Sequence, residues 1–428
     1  MKLKRTILGI ASIIALLSAA AGRSQDYWAE PQYGDVNATM VPSYEGEMVD
    51  DGGTAAGGGL LGSVLGGGSA GGRGLLGSHP WLHPEMLLWW SQTRYVPALV
   101  TTSPTGTGQA LAGRLDQPET SILFGDERVG GDLDVGFRIS GGTWLDDSLT
   151  LGVGVRYFTV GNDDDFSTSS GGDPILARPF FNVSSGQEDA LLVAFPGLST
   201  GSVNMKASNK AEGLDLYLRR LLHAGYCNRL DIIGGYHTSK ITDKVTAADS
   251  LVSQDPVGRV PVGTMIDTSD LFRVENKFNG GFVGLMTQAD DGRLTWRMMS
   301  KIAFGEMQQE ASARGSTTTT VPGVAPSTAN YGLLALNSNS MTIQRDDFAV
   351  VPEVSLSIGY KLTSNLELTV GYSFIYWSKV ALAGDLIDLN VNPTQIGGPL
   401  VGPAAPTLGL QDDGFWYQGL DLGLFMQF

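Results

Sequence analysis

Tyr417-Gln418-Gly419-Leu420-Asp421-Leu422-Gly423-Leu424-Phe425-Met426-Gln427-Phe428 is the stretch that decides the fold. Leu420, Leu422, Leu424, Met426 and Phe428 share one face of an extended chain, while Asp421, Gly423 and Gln427 share the other with Phe425. A period of two belongs to a strand, whose successive side chains point to opposite faces. About 9–11 residues in this pattern suffice to cross a bilayer in a barrel, with the apolar face toward lipid. Alternation alone would equally suit a soluble sandwich, so the rest of the chain has to choose.

The opposite end chooses. Lys2, Lys4 and Arg5 precede an apolar stretch from Ile7 to Leu17, and Ala19-Ala20-Ala21 fits a small-residue cleavage site before Gly22. This is the pattern of a secretory signal peptide over residues 1–21, so the chain is expected to be exported. After Gly22 no run approaches the roughly 18 apolar residues that a spanning helix needs. Residues 22–80 carry Gly57-Gly58-Gly59 and Gly66-Gly67-Gly68, with a near-repeat of Gly59-Leu60-Leu61-Gly62-Ser63 at Gly74-Leu75-Leu76-Gly77-Ser78. Such composition reads as a flexible linker.

Composition narrows the classes further. The 428 residues include 58 Gly, 16 Phe, 13 Tyr and 8 Trp, and only 17% are charged. An apolar outside averaged with a polar inside gives this balance. The formal charge of −16 disfavours nucleic acid as a partner. The single Cys227 leaves no intrachain disulfide framework and no multi-cysteine metal site.

Between Trp81 and the terminal stretch the alternation recurs in pairs. Leu133, Val135, Phe137 and Ile139 lead through Asp146-Asp147-Ser148 to Leu149, Leu151, Val153, Val155 and Tyr157. Leu214, Leu216 and Leu218 lead through residues 223–228 to Leu230, Ile232 and Tyr236. Phe272, Val274, Phe278, Phe282 and Met286 precede Asp290-Asp291-Gly292, with Leu294, Trp296 and Met298 after it. Val354, Leu356, Ile358 and Tyr360 precede Thr363-Ser364-Asn365, with Leu366, Leu368, Val370, Tyr372 and Phe374 after it. The turn residues are good hairpin chemistry.

Four hairpins, a first strand near His83–Ser91 and the terminal strand make about ten strands, within a range of 10–14. Five long connections remain, at about 92–130, 161–201, 241–267, 311–340 and 381–413. Short turns at one end and long loops at the other are the asymmetry of outer-membrane barrels. The expectation is therefore an all-β chain whose residues 81–428 form a transmembrane, antiparallel, up-and-down β-barrel. An even strand number puts both termini in the periplasm. Trp89-Trp90, Trp144, Tyr157-Phe158, Tyr376-Trp377 and Phe415-Trp416-Tyr417 sit where strands would leave the bilayer, as an aromatic girdle does.

Several motifs also carry a family likeness. Leu87-Leu88-Trp89-Trp90, Thr120-Ser121-Ile122-Leu123-Phe124-Gly125 and Pro174-Ile175-Leu176-Ala177-Arg178-Pro179-Phe180-Phe181-Asn182 are three of them. Phe348-Ala349-Val350-Val351-Pro352-Glu353, Gly371-Tyr372-Ser373-Phe374-Ile375-Tyr376-Trp377-Ser378 and Asp388-Leu389-Asn390-Val391-Asn392-Pro393-Thr394-Gln395 are others. Together they resemble an outer-membrane "beta-barrel porin" family of planctomycete-type bacteria, over roughly 81–428. The resemblance implies a barrel in the outer membrane and supplies no functional residues. Phe428 resembles the C-terminal signal that barrel-assembly machinery recognises, which makes that machinery and outer-membrane lipid the expected partners.

Chemistry is sparse. Gly67-Gly68-Ser69-Ala70-Gly71 and Gly197-Leu198-Ser199-Thr200-Gly201 match G-x-S-x-G, but neither joins a strand to a helix as a nucleophile elbow does. Of the four histidines, only His237, read as lying at the outer end of its strand, is placed to serve as a base. Asn162-Asp163-Asp164-Asp165 reads as a solvated acidic turn opening an outer loop, without the ligand spacing of a dedicated Ca²⁺ loop. No enzyme activity, cofactor or metal is expected.

The informative polar residues are those assigned to the inner face: Arg138, Arg156, Arg273, Glu275, Lys277, Arg297, Lys301, Glu353, Glu367 and Asp421. On the lipid face an Arg or Lys at mid-membrane would cost roughly 2–4 kcal/mol. About eight strands leave an interior just filled by side chains, so ten give a narrow lumen. Two readings stay open. One is a porin-like passive channel for small solutes; the other is a closed structural or surface-interaction barrel, its lumen plugged by salt bridges.

Overall fold

The computed structural model of the chain describes residues 78–258 and 260–428. The signal peptide and most of the linker expected above lie outside the described residues. Ten long strands carry the fold: β1 Ser78–Ser91, β2 Asp134–Trp144, β3 Leu151–Ser170, β4 Ser199–Ala224 and β5 Asn228–Ser253. The other five are β6 Met265–Asp291, β7 Leu294–Thr320, β8 Thr342–Lys361, β9 Leu366–Val380 and β10 Asp413–Gln427. Each pairs antiparallel with its neighbours in sequence, and β1 pairs with β10, so the ladder of ten returns to its start.

Local chemistry shapes the short turns. Asp146 accepts hydrogen bonds from the backbone N–H groups of Thr150 and Leu151, at 2.9 and 2.8 Å, and so bends the chain between β2 and β3. Between β6 and β7 only Gly292 and Arg293 intervene, and Gly292 takes φ +60°, where a β-carbon is disfavoured.

Three of the five long connections, now 171–198, 254–264 and 321–341, are shorter than the sequence suggested, because the strands outrun their apolar stretches. β4 and β5 have 26 residues each, β6 and β7 have 27. Asn162-Asp163-Asp164-Asp165 is not a loop: it lies within β3 and faces Asn209, Ser208, Ala207 and Lys206 in register. No cluster of metal-ligating side chains occurs among the described residues.

The long strands invert their polarity along their length. On β4, Leu214, Leu216 and Leu218 point outward near the turns, with Asp215 and Tyr217 buried inside. Higher up, Val203, Met205, Ala207 and Ala211 are buried inside, and the alternate Lys206 and Lys210 face out. β6 does the same: Val283 and Leu285 are exposed, whereas Phe272, Val274, Phe278 and Phe282 are buried. The chain keeps one face inward throughout; what changes with height is which face is apolar.

That inversion corrects part of the inner-face assignment. Phe272, Val274 and Phe278 share a face that is inward, so Arg273, Glu275 and Lys277 are on the outer face. The aromatic pairs also divide. Trp89, Phe158, Trp377, Phe415 and Tyr417 are buried, while their neighbours Trp90, Tyr157, Tyr376 and Trp416 occupy the opposite face.

Above the ring the loops fold inward. A small sheet joins Val100–Thr102, Ser121–Phe124, Leu176–Asn182, Gln187–Ala194 and Asn390–Val391. Its residues and the buried run Leu333-Leu334-Ala335-Leu336 pack with Met205, Val245 and Phe272 into an upper apolar core. A lower core holds Trp89, Phe158, Phe278, Ile375, Trp377 and Tyr417.

Candidate functional site: the barrel interior

Near the turns the inward side chains are charged and paired. Arg219 and Arg229 lie over the Trp144 ring at 4.3 and 4.2 Å and share the Asp231 carboxylate, at 2.5 and 2.7 Å. Arg297 meets Glu367 at 2.7 Å and covers the Phe425 ring at 4.2 Å. A cavity of about 130 Å³ lies here, lined by His83, Arg138, Arg219, Arg297 and Phe425 among others.

The next layer is fully buried. Arg138 Nε and Nη2 donate to both oxygens of Glu85, at 2.5 and 2.6 Å, and Nη2 also stands 2.9 Å from Asp421. Asp421 accepts the Trp89 indole N–H at 2.8 Å and the Ser373 hydroxyl at 2.5 Å. Arg156 pairs with Glu353 and with Asp215, the latter at 3.2 Å; Lys301 pairs with Asp215 and stands 3.0 Å from Glu353. His237 Nδ1 is 2.6 Å from Asp215. Three cations, Arg138, Arg156 and Lys301, thus face four carboxylates, Glu85, Asp215, Glu353 and Asp421, with His237 beside one of them.

Of the ten residues expected on the inner face, Arg138, Arg156, Lys301, Glu353 and Asp421 are gathered in this layer, with Arg297 and Glu367 just below it. Glu85, Asp215 and His237 complete it. Sequence reading missed Asp215, because Leu214 and Leu216 drew attention to the outward face. His237 is not at the outer end of its strand but ten residues into the 26 of β5, beneath Phe278 at 5.6 Å between ring centres. Its Nε2 has no hydrogen-bond partner among the described residues.

Above the charges comes the aromatic layer, bridged across the ring. Trp377 on β9 donates its indole N–H to Ser239 on β5 at 2.9 Å, and Tyr417 on β10 donates to Asn209 on β4 at 2.9 Å. Tyr417 packs against Phe415 and Trp89, with ring centres 5.5 and 6.3 Å apart.

At the mouth, loop arginines are pinned to strand carboxylates. Arg94 Nε is 3.1 Å from Asp243, which also accepts the Ala383 N–H at 2.8 Å. Arg178 donates to Asp249 and Asp270, at 2.7 Å each. Asp270 in turn accepts the N–H groups of Leu334 and Ala335, at 3.1 and 2.8 Å. Burial pushes the Asp249 carboxyl above its usual range, and the Arg178 charge opposes this.

Ten antiparallel strands in a ring, with an apolar outer belt and charge inside, define an up-and-down β-barrel. A family model described as "Putative beta barrel porin-7 (BBP7)" matches residues 81–428, and the chain belongs to that family. No curated protein matches it. Among solved structures, the outer membrane protease OmpT from Escherichia coli is similar at 11% identity, over 82% of this chain and 97% of that one, with a TM-score of 0.39. A Pseudomonas aeruginosa FadL homologue is similar at 9% identity, over 82% and 90%, with a TM-score of 0.26. These likenesses carry no argument about activity.

Proposed function

We propose that the chain is an outer-membrane barrel that is closed inside and carries a folded cap at its outer end, serving as a structural or surface-interaction barrel. The observation that carries this reading is the contact of Arg156 with Glu353. Their strands, β3 and β8, are five places apart in a ring of ten, so the two side chains meet across the lumen. The aromatic layer above and the loop core above that add two further seals.

The membrane setting is supported by the outer belt. Leu216, Leu218, Ile232, Leu285, Trp296 and Leu368 are exposed large apolar side chains, all within the turn-proximal part of their strands. Such a band, about 25 Å tall, fits the hydrocarbon thickness of an outer membrane. The N-terminal export pattern and the terminal Phe428 fit the same location, with the short turns and both termini in the periplasm.

A passive channel for small solutes is the second reading, favoured by the family description and by the charged cavity near the turns. An embedded hydrolase finds less support, because the His237–Asp215 pair is buried among ion pairs and aromatic rings. Planar-bilayer recording separates the first two. The closed reading expects no conductance above background from protein shown to be folded; stepwise openings would overturn it in favour of the channel.

A further inference from the structure

The outer faces of β4, β5 and β6 change character just above the apolar belt. Tyr236 marks the boundary, its hydroxyl donating to Asn279 at 3.0 Å, and Thr238 bonds the same oxygen at 2.9 Å. Immediately above stand six outward cations: Lys206 and Lys210, Lys240 and Lys244, Arg273 and Lys277. Lys206 is paired with Asp163 and Asp165 of β3, at 3.1 and 3.5 Å, and Lys210 with Glu212 at 3.0 Å. The four remaining cations, on β5 and β6, have Glu275 as the only outward carboxylate in their rows of those two strands, with Glu310 of β7 opposite it. In a chain with a formal charge of −16, this is a local excess of the opposite sign.

The cations are not dispersed. Lys240 is the register partner of Lys277, and Lys244 is the partner of Arg273. Like charges directly opposite each other destabilise a sheet, so folding alone does not call for them. Glu275 holds the group together: Lys240 and Lys277 lie 3.1 and 3.3 Å from it, and Arg273 is paired with it as well. One carboxylate, its side chain 12% exposed, therefore gathers three cations, and Lys277 stays 48% exposed.

We propose that this patch binds the phosphate-bearing headgroup of an outer-leaflet lipid. The inference rests on the membrane reading above, which places the patch at headgroup height. Basic clusters at a membrane boundary attract anionic headgroups, and arginine and lysine donors match phosphate oxygens. The hub at Glu275 presents the donors together while leaving an excess of positive charge for the ligand.

The test uses the full chain. Flotation with phosphatidylcholine liposomes first establishes insertion; failure to insert would overturn both the membrane reading and this one. Inserted protein is then transferred to micelles holding equal amounts of phosphatidic acid and phosphatidylcholine, and the retained lipids are counted by native mass spectrometry. The wild type is expected to retain phosphatidic acid several-fold over phosphatidylcholine. The triple variant Lys240→Gln, Arg273→Gln, Lys277→Gln should lose that preference, and Lys361→Gln at the turn end should keep it. Equal retention by the wild type, or a preference that survives the triple variant, would overturn the patch while leaving the barrel intact. Loss of the preference in millimolar inorganic phosphate would assign the site to free phosphate instead.

Discussion

Arg156 and Glu353 are 197 residues apart in sequence and sit on opposite walls of the barrel, yet their side chains touch. Long charged side chains reaching from both walls can occupy the axis of a ten-stranded barrel without help from the loops. The interior is therefore organised by pairs that cross it, and its integrity depends on each charge having its partner.

Removing one cation from this layer should be expensive. Lys301→Met would leave Asp215 and Glu353 sharing only Arg156 and, when protonated, His237. Breaking a buried pair costs about 3–5 kcal/mol, because the stranded charge remains out of water. Urea unfolding of the barrel in vesicles should show this loss, and adding Glu353→Gln should restore part of it. An unchanged unfolding midpoint for Lys301→Met would mean that water reaches the layer.

Arg178 ties the segment Leu176–Asn182 to β5 and β6 through Asp249 and Asp270. In Arg178→Ala both carboxylates lose their buried partner, a loss on the order of 3–5 kcal/mol borne locally by the cap. Proteinase K added to whole cells should then cut between 171 and 198 while the long strands stay resistant. Resistance of that segment in the variant would show that the apolar contacts of the cap hold it alone.

The loop 381–412 should respond to acid through Asp388. Half-burial opposes its ionisation, but the N–H groups of Thr407 and Asn390, each 2.9 Å away, hold its carboxyl below the usual range. A folded-state value below the unfolded one stabilises at neutral pH, and this contribution fades as pH falls from about 3.9 through the folded value. Hydrogen exchange should show protection of Asn390 and Thr407 weakening over that interval. In Asp388→Asn the weakening should already be present at pH 7, with no further acid-dependent step.

Cys227, exposed in the turn between β4 and β5, reports which side the turns face. A membrane-impermeant maleimide should leave it unlabelled on intact cells and label it once the outer membrane is permeabilised. Equal labelling in both states would invert the barrel.

The strands that alternate in the outward sense were legible: the belt residues Leu420, Leu422 and Leu424, or Leu366, Leu368 and Val370, need only a period of two. The upper halves of β3 to β7 were not. There the apolar set moves to the other face, as from Leu214 to Ala211 on β4, and a reading tuned to apolar-outward strands takes the change for the start of a loop. Phe272 and Val274 carried the same ambiguity, which placed Arg273, Glu275 and Lys277 on the wrong wall. The partners inside the barrel were beyond reach for another reason. Which charges meet depends on how ten strands stack around the axis, and neither Arg138 with Glu85 nor Lys301 with Asp215 leaves a mark in local spacing. Leu333-Leu334-Ala335-Leu336 did leave one, as an apolar run within a connection otherwise rich in Ser, Thr and Asn.

The seam between β1 and β10 pairs Trp81 with Gln427, and the Phe428 N–H reaches the Pro80 carbonyl at 2.9 Å. Without β10, both β1 and β9 would present rows of unpaired amides to hydrocarbon, where each such group costs several kcal/mol. β10 is therefore the strand that makes the rest of the ring tolerable to lipid. Closing the ring and entering the bilayer are in effect a single event, so a chain without β10 is expected to stay out of vesicles that take up the full chain.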